Sequence, residues 1–248
     1  MKIILLRHGE SQWNLENRFT GWEDVSLTPN GIQEAKFSGQ QLVKNNILID
    51  TIFSSLLERA NKTAEIVADI INFDKSEIQY SWRLNERHYG ALQGLNKSET
   101  ASKYGEEQVH IWRRSFDIPP PLLSQDDERY TKLKEKFKNI DGNHPKGESL
   151  KNVIDRLQPF WNQYLRNIKE NSGSHLIVAH SNSLRAIVKI LDKLSDKDIV
   201  SVNIPTGVPL VYRLDTNFNV LNKKYLINNS QLKEKQKKVL NQGKTKWI

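Results

Sequence analysis

Residues 1–9 read MKIILLRHG, an apolar stretch that ends in three residues suited to phosphate chemistry. The apolar run predicts a short buried strand. Directly after it, Arg7 can neutralise a phosphate, the imidazole of His8 can attack phosphorus, and Gly9 lets backbone amides approach an anion. The stretch therefore predicts a phosphate site at the carboxyl end of a strand, although an ordinary surface Arg-His pair would read the same.

The length of 248 residues allows one large domain or two small ones with a substantial core, and the alternation of strand and helix signals favours one domain. There is no cysteine, which excludes disulfides and thiolate zinc sites and agrees with a cytoplasmic location. No apolar run is long enough for a signal peptide or a membrane span. The net charge is +8, but residues 231–248 alone carry six lysines and one glutamate. We expect one domain over residues 1–230 and a basic, mobile tail over 231–248, without a nucleic-acid or membrane partner.

Strand and helix signals alternate through most of the chain. We predict strands over residues 2–6, 50–54, 78–82 and 175–179, a hairpin over 210–214 and 220–225, and helices over 29–44, 58–71, 148–171 and 181–191. Thr28 is expected to cap the first helix, and residues 181–183 the last one. A polar segment of about residues 85–147 interrupts the alternation and reads as an insertion that covers the site. The alternation predicts an α/β fold with a mostly parallel sheet between helices.

A second histidine, His180, follows the predicted strand 175–179. In a parallel sheet, ligands bind beyond the carboxyl ends of the strands. His8 and His180 both lie at such ends, so we expect them to meet although they are far apart in the sequence.

Phosphate binding here must depend on arginines, because the chain contains no Walker-type glycine loop. Arg59 lies in the first turn of a predicted helix just after a strand, where its guanidinium can bind phosphate bidentately. A proton donor for the leaving oxygen is also needed, and a carboxyl group is the natural choice. The pattern alone does not separate Glu86 from Glu10 or Glu148 for this role.

Several longer motifs resemble the cofactor-dependent phosphoglycerate mutases of the histidine phosphatase superfamily. They include LLRHGESQWN (5–14), SSLLERA (54–60), NERHYGALQGLNK (85–97), WRRSFDIPPP (112–121) and AHSNSLRA (179–186). RHG by itself is typical of the whole superfamily, whereas the motifs at 85–97 and 112–121 are typical of the mutases. The resemblance covers nearly the whole chain and implies a three-layer α/β/α sandwich.

The resemblance also implies a role for each matching residue. His8 would carry the phosphoryl group between the 2- and 3-oxygens of phosphoglycerate, and Glu86 would be the general acid and base. Arg7, Arg59 and His180 would hold the transferring group, which Asn14 would also contact. The remaining substrate-binding positions would be Thr20, Gly21, Arg87, Tyr89, Lys97, Arg113, Arg114 and Asn182.

By the same resemblance, 2,3-bisphosphoglycerate would prime His8, no metal would be needed, and the substrates would be small phosphorylated three-carbon acids. The enzyme would act in glycolysis and gluconeogenesis as a homodimer or homotetramer. A phosphatase or a bisphosphoglycerate synthase using the same histidine remains an alternative, as does a non-enzymatic binding module for anions or nucleic acid.

One position departs from the family motif beside the second histidine. Ser181 stands where the family usually has glycine. If that position needs a positive φ or touches the ligand, serine would strain the loop or narrow the site. We favour tolerance, with the Ser181 hydroxyl capping the following helix.

Overall fold

The computed structural model describes residues 1–169 and 173–241. These residues form a six-stranded sheet with the strand order β3-β2-β4-β1-β5-β6. The strands are β1 (Lys2–Arg7), β2 (Thr51–Ser54), β3 (Gln79–Tyr80), β4 (Ser174–Ala179), β5 (Leu210–Leu214) and β6 (Val220–Tyr225). The α-helices are α1 (Gln12–Leu15), α2 (Pro29–Lys44), α3 (Glu58–Ile71), α4 (Lys97–Tyr104), α5 (Glu106–Arg114), α6 (Glu128–Lys136), α7 (Leu150–Lys169), α8 (Ser181–Leu191) and α9 (Asn229–Asn241).

Alternate side chains of β1 enter two separate hydrophobic cores. Ile3 and Leu5 pack in a core with residues of α7 and α8, whereas Ile4 and Leu6 pack in a core with residues of α2 and α3. Successive side chains of a strand point to opposite faces of the sheet, so helices cover both faces. This confirms the α/β fold and the three-layer α/β/α sandwich.

The sheet is parallel from β3 to β1 and ends in an antiparallel hairpin. β1 pairs with β4 in parallel and with β5 in antiparallel orientation, and β5 pairs with β6. The third predicted strand is shorter than expected, because Ser81 ends it. The Ser81 hydroxyl accepts the Arg83 N–H and caps a 3₁₀ turn over Trp82–Leu84.

The helix starts show one correct expectation and one correction. Thr28 caps α2 as predicted: its hydroxyl accepts the Gly31 N–H at 3.0 Å, and Pro29 is the first helical residue. The cap predicted within residues 181–183 is wrong by one residue, because His180 is the N-cap of α8. The Ser183 hydroxyl accepts the His180 N–H at 3.1 Å. This bond holds His180, the residue just before the predicted range, in the cap position.

The segment over residues 85–147 contains α4, α5 and α6 and packs on the long loop after β1. Phe19 of that loop is buried against Leu92, Ala101 and Val109. Trp22 packs with a second group that includes Phe137. These contacts place the segment over the end of the sheet where β1 and β4 finish.

Part of the segment expected to be a mobile tail, residues 231–241, is helical in the structure. Residues Asn229–Asn241 form α9, whose half-buried Leu232 and Gln236 and buried Val239 share one face. Spacing of three and four residues places such side chains on the same side of a helix. The remainder of the predicted tail, 242–248, lies outside the described residues. Among the described residues, no helix is long and apolar enough to cross a membrane.

Candidate active site at the ends of β1 and β4

Strand register brings His8 and His180 together. Arg7 and Ala179 are direct partners in the parallel pair of β1 and β4, so the residue that follows each of them lies at the same height. The His8 N–H donates to the Ala179 carbonyl at 3.0 Å, and the two imidazole centroids are 4.9 Å apart. The expected meeting of the histidines is therefore confirmed.

The environment of His8 favours a neutral ring with a reactive Nε2. Its Nδ1 lies 2.7 Å from the Gly9 carbonyl oxygen, which can only accept, so Nδ1 carries the ring proton. Burial, together with the positive charges of Arg59 and Arg7, holds the pKa of His8 well below its usual value. Nε2 consequently keeps its lone pair, as a nucleophile requires.

His180 is held from the opposite side by Ser55. Its Nε2 lies 2.7 Å from the Ser55 hydroxyl, and its buried Nδ1 has no hydrogen-bond partner among the described residues. Burial, and next the charge of Arg59, holds the pKa of His180 well below its usual value. This ring is therefore also neutral near pH 7, with Nδ1 free of protein partners.

Two arginines from separate elements supply positive charge beside the histidines. Arg7 ends β1, and its Nη1 donates to the Ile204 carbonyl at 2.9 Å. Arg59 lies in the first turn of α3, and its Nη1 and Nη2 donate to the Glu23 and Gly21 carbonyls at 2.9 Å. Burial lowers the pKa of Arg59 to about 10, which leaves it charged near pH 7. Both guanidiniums are thus fixed before any anion binds.

The two carboxylate oxygens of Glu86 differ in their hydrogen bonds to the protein. Its Oε1 accepts the Arg87 N–H at 2.7 Å, the Asn182 N–H at 3.1 Å and the Asn182 side-chain amide at 3.0 Å. Its Oε2 has no hydrogen-bond partner among the described residues, and Glu86 lines the same pocket as His8. The geometry therefore leaves Oε2 for proton exchange with a ligand.

The pocket around these groups has a strongly cationic wall. Lys97 and Arg113 lie in this wall, and burial is the largest cause that lowers the pKa of each, to about 10 for Arg113. Like charges close together lower each other's pKa further. A bound polyanion would oppose both effects, because its negative charge raises the pKa of each cation. The predicted residues that line the pocket are Arg7, His8, Asn14, Thr20, Arg59, Glu86, Tyr89, Lys97, Arg113, Arg114 and Asn182.

Three predicted site residues lie behind the wall. His180 contacts His8 directly. Gly21, with a φ of 58°, offers its carbonyl to Arg59. Arg87 is fully buried with its guanidinium over the Tyr89 ring, and its Nε and Nη1 have no hydrogen-bond partner among the described residues. Their ligand contacts remain predictions.

Two residues of the pocket wall were missed by the sequence reasoning: Arg18 and Val239. Arg18 belongs to the same long loop as Asn14 and Thr20, so its charge was the available signal. Val239 reaches the pocket from α9, and no local pattern connects that helix with the ends of β1 and β4.

The explanation offered for Gly9 is corrected by the structure. Its N–H donates to the Thr63 hydroxyl at 3.1 Å, and a Cβ on Gly9 would lie 2.1 Å from the Gly31 carbonyl oxygen. Glycine is needed because the chain passes against the start of α2, not because an anion approaches its amide.

Ser181 is accommodated without backbone strain. It is the first residue of α8, and it is absent from the residues with positive φ. Its hydroxyl does not cap the helix, since His180 occupies the cap position. The backbone thus accepts serine at this position, but its side chain lines the pocket, and tolerance of serine by the bound ligand stays a prediction.

Comparison with known proteins identifies the family. The model of the histidine phosphatase superfamily (branch 1) matches residues 3–140 and 121–223. The chain belongs to this superfamily. Within it, 2,3-bisphosphoglycerate-dependent phosphoglycerate mutase 2 of Bacteroides thetaiotaomicron is 49% identical over 246 residues, which cover 99% of each chain. The resemblance to the mutase branch is therefore confirmed.

Solved structures of the superfamily share the fold at low sequence identity. A mycobacterial glucosyl-3-phosphoglycerate phosphatase has a TM-score of 0.68 at 21% identity, covering 90% of this chain and 96% of its own. A putative alpha-ribazole-5'-P phosphatase of Escherichia coli has a TM-score of 0.67 at 19% identity, covering 92% and 96%. Across residues 1–169 and 173–241, no group of three or more His, Cys, Asp or Glu side chains could hold a metal ion.

Proposed function

We propose that this enzyme interconverts 2- and 3-phosphoglycerate through a phosphohistidine at His8, primed by 2,3-bisphosphoglycerate, in glycolysis and gluconeogenesis. The observation that carries the proposal is the pairing of a neutral His8, whose Nε2 is free, with the available Oε2 of Glu86 in one cationic pocket. The mutase relative from Bacteroides supports the choice of substrate and primer.

The reaction divides into two mirror-image transfers. Once 2,3-bisphosphoglycerate has loaded His8, the phosphoryl group passes from Nε2 to the free hydroxyl of phosphoglycerate: the phosphorus–nitrogen bond breaks, a phosphorus–oxygen bond forms, and Glu86 takes the hydroxyl proton. The resulting bisphosphoglycerate then presents its other phosphate, Nε2 of His8 attacks that phosphorus, the bond to the substrate oxygen breaks, and Glu86 returns the proton to that oxygen. Arg7, Arg59 and His180 offset the charge that spreads over the phosphoryl oxygens in the transition state.

The outer pocket suits an acid with one or two phosphates. Lys97, Arg113 and Arg114 line it, and Arg18 lies at the same wall. Arg7 Nε and Arg87 Nε and Nη1 are buried without a hydrogen-bond partner among the described residues, and they would be further donors to a bound anion. These groups would hold the carboxylate and the phosphate that is not transferred.

A coupled assay of 3-phosphoglycerate conversion tests the proposal. We expect conversion that depends on 2,3-bisphosphoglycerate, continues in EDTA and disappears in His8→Ala. Release of inorganic phosphate should be much slower than isomerisation, because a closed pocket keeps water from the phosphohistidine. Faster phosphate release would favour a phosphatase instead. Activity in His8→Ala would contradict the intermediate.

A further inference from the structure

A buried ion pair behind the pocket holds the backbone that carries Glu86. Arg156 projects from α7, and its Nε donates to Glu148 Oε1 at 2.6 Å. Their side chains are only 8% and 5% exposed. Neither residue lines the pocket, so neither can touch a ligand there.

The Arg156 guanidinium makes most of its bonds to the main chain of the Glu86 segment, defined here as residues 83–88. Its Nη1 donates to the Arg83 carbonyl at 2.6 Å, and its Nη2 donates to the Asn85 and Glu86 carbonyls at 2.7 and 3.0 Å. A single planar group therefore fixes three carbonyls that no strand or α-helix would otherwise order.

Glu148 holds the other end of the same segment. Its Oε2 accepts the His88 N–H at 2.8 Å, and its own backbone N–H donates to the His88 carbonyl at 2.9 Å. The Trp22 indole N–H also donates to the Glu86 carbonyl at 2.6 Å, and the Arg156 guanidinium lies over that indole ring. The backbone is held on both sides of Glu86.

We propose that Arg156 and Glu148 are positioning residues that set the position of Glu86 for proton transfer. The inference rests on the proposed role of Glu86 as general acid and base. A buried charge pair of this kind could serve stability alone, so the test must separate proton transfer from folding.

Two phosphoryl donors with different leaving groups separate an effect on proton transfer from an effect on folding. 2,3-Bisphosphoglycerate releases an alkoxide, which needs the proton of Glu86, and 3-phosphoglycerate as the acceptor must give its hydroxyl proton to Glu86. p-Nitrophenyl phosphate releases a stabilised phenolate: Nε2 of His8 bonds to phosphorus, the phosphorus–oxygen bond breaks, and the phenolate leaves without a proton. Loss of Glu86 positioning should therefore slow isomerisation and spare the nitrophenolate burst.

Glu148→Gln and Arg156→Lys are the informative variants. Glutamine has the shape of Glu148, but its amide nitrogen would face either the Arg156 Nε–H or the His88 N–H, both donors. Lysine keeps the charge of Arg156 and loses the planar fork. We expect isomerisation to fall about ten- to hundredfold, part of the 10²–10⁴ that general acid–base catalysis contributes. The KM for 3-phosphoglycerate and the burst rate should change by less than about threefold.

Two further variants make the outcome unambiguous. Glu86→Gln is the reference and should show the same split, defined as a large loss of isomerisation with little change in the nitrophenolate burst. Lys189→Gln breaks a partly buried ion pair with Asp196, neither of which belongs to the Glu86 segment, and should show no difference between the two reactions. Because both rates are measured on one sample, their ratio does not depend on the fraction folded.

The results separate failure of this inference from failure of the proposed function. Parallel loss of burst and isomerisation in Glu148→Gln and Arg156→Lys, or full activity in both, would overturn the positioning role if Glu86→Gln shows the split. If Glu86→Gln instead lowers the isomerisation rate and the burst rate equally, then Glu86 is not the general acid, and the proposed function itself fails at this point.

Discussion

His8 and His180 are both neutral imidazoles, but different groups fix their ring protons. The Gly9 carbonyl fixes the proton of His8 on Nδ1. For His180, the Ser55 hydroxyl lies against Nε2 and itself accepts the Leu57 N–H at 3.1 Å. With one lone pair occupied in this way, we expect the serine to donate to Nε2, so that Nδ1 of His180 carries its proton toward the transferring phosphoryl group.

Replacing Ser55 tests this assignment. In Ser55→Ala, we expect the ring proton of His180 to lose its preference for Nδ1, and isomerisation to fall about tenfold because a charge-assisted hydrogen bond to the phosphoryl group is weakened. ¹⁵N NMR of the imidazole reports the tautomer, and the coupled assay reports the rate.

The matched control for Ser55 is its neighbour. Ser54 is also buried at the end of β2, but its hydroxyl donates to the Asn61 side chain at 3.2 Å and does not contact a histidine. Ser54→Ala should leave both the tautomer and the rate unchanged. An unaltered His180 spectrum in Ser55→Ala would show that the serine does not set the tautomer.

At the scale of elements, α9 closes one side of the pocket and is held there by two ion pairs. Lys235 pairs with Glu34 of α2 at 2.8 Å, and Lys238 pairs with Glu10, two residues after His8, at 3.3 Å. The Lys238 side chain is 74% exposed, so its pair contributes little free energy and is sensitive to salt.

Removing both pairs should loosen α9 and admit water. In the double variant Lys235→Gln and Lys238→Gln, we expect the ratio of phosphate release to isomerisation to rise about two- to tenfold, as loss of up to about 1 kcal/mol per exposed pair allows. Lys233→Gln with Lys237→Gln makes the same change in charge at two exposed positions of α9 and should leave the ratio unchanged. Equal ratios in the two double variants would separate α9 from water exclusion.

Elements differ in how far the sequence could define them. Apolar periodicity gives α3, and Thr28 with Pro29 marks where α2 begins. The extent of β3 was less predictable, because the Ser81 hydroxyl accepts the Arg83 backbone N–H and so favours a turn over continuation of the strand. A side chain that can bond its own backbone leaves two local structures open, and packing decides between them.

At the scale of the molecule, the centre of the site follows from topology, whereas its supports depend on contacts between distant residues. His8 and His180 meet because Arg7 and Ala179 share one register. By contrast, the contact of Gly9 with Gly31, and the hold of Arg156 on the carbonyl of Glu86, require knowledge of which surfaces pack together. No spacing within one segment contains that information.

Burial of neutral histidines makes the stability of the whole molecule depend on pH. Burial, and then the charges of Arg129 and Arg156, lower the pKa of His88 from 6.5 to about 3. Below about pH 6.5, His88 binds a proton in the unfolded chain but not in the folded protein. The free energy of unfolding therefore falls as the pH falls. The effect of one such group is at most about 1.4 kcal/mol per pH unit.

His88→Asn isolates this contribution, because the asparagine oxygen can still accept the Gly90 N–H that His88 Nδ1 accepts at 3.0 Å. We expect urea unfolding between pH 4 and 6 to show a slope of unfolding free energy with pH that is smaller in the variant by up to about 1.4 kcal/mol per unit. Above pH 7 the difference between the two proteins should be constant, since neither state protonates. His8 and His180 are present in both proteins and cancel, so a difference that is constant down to pH 4 would mean that His88 takes up a proton in the folded state.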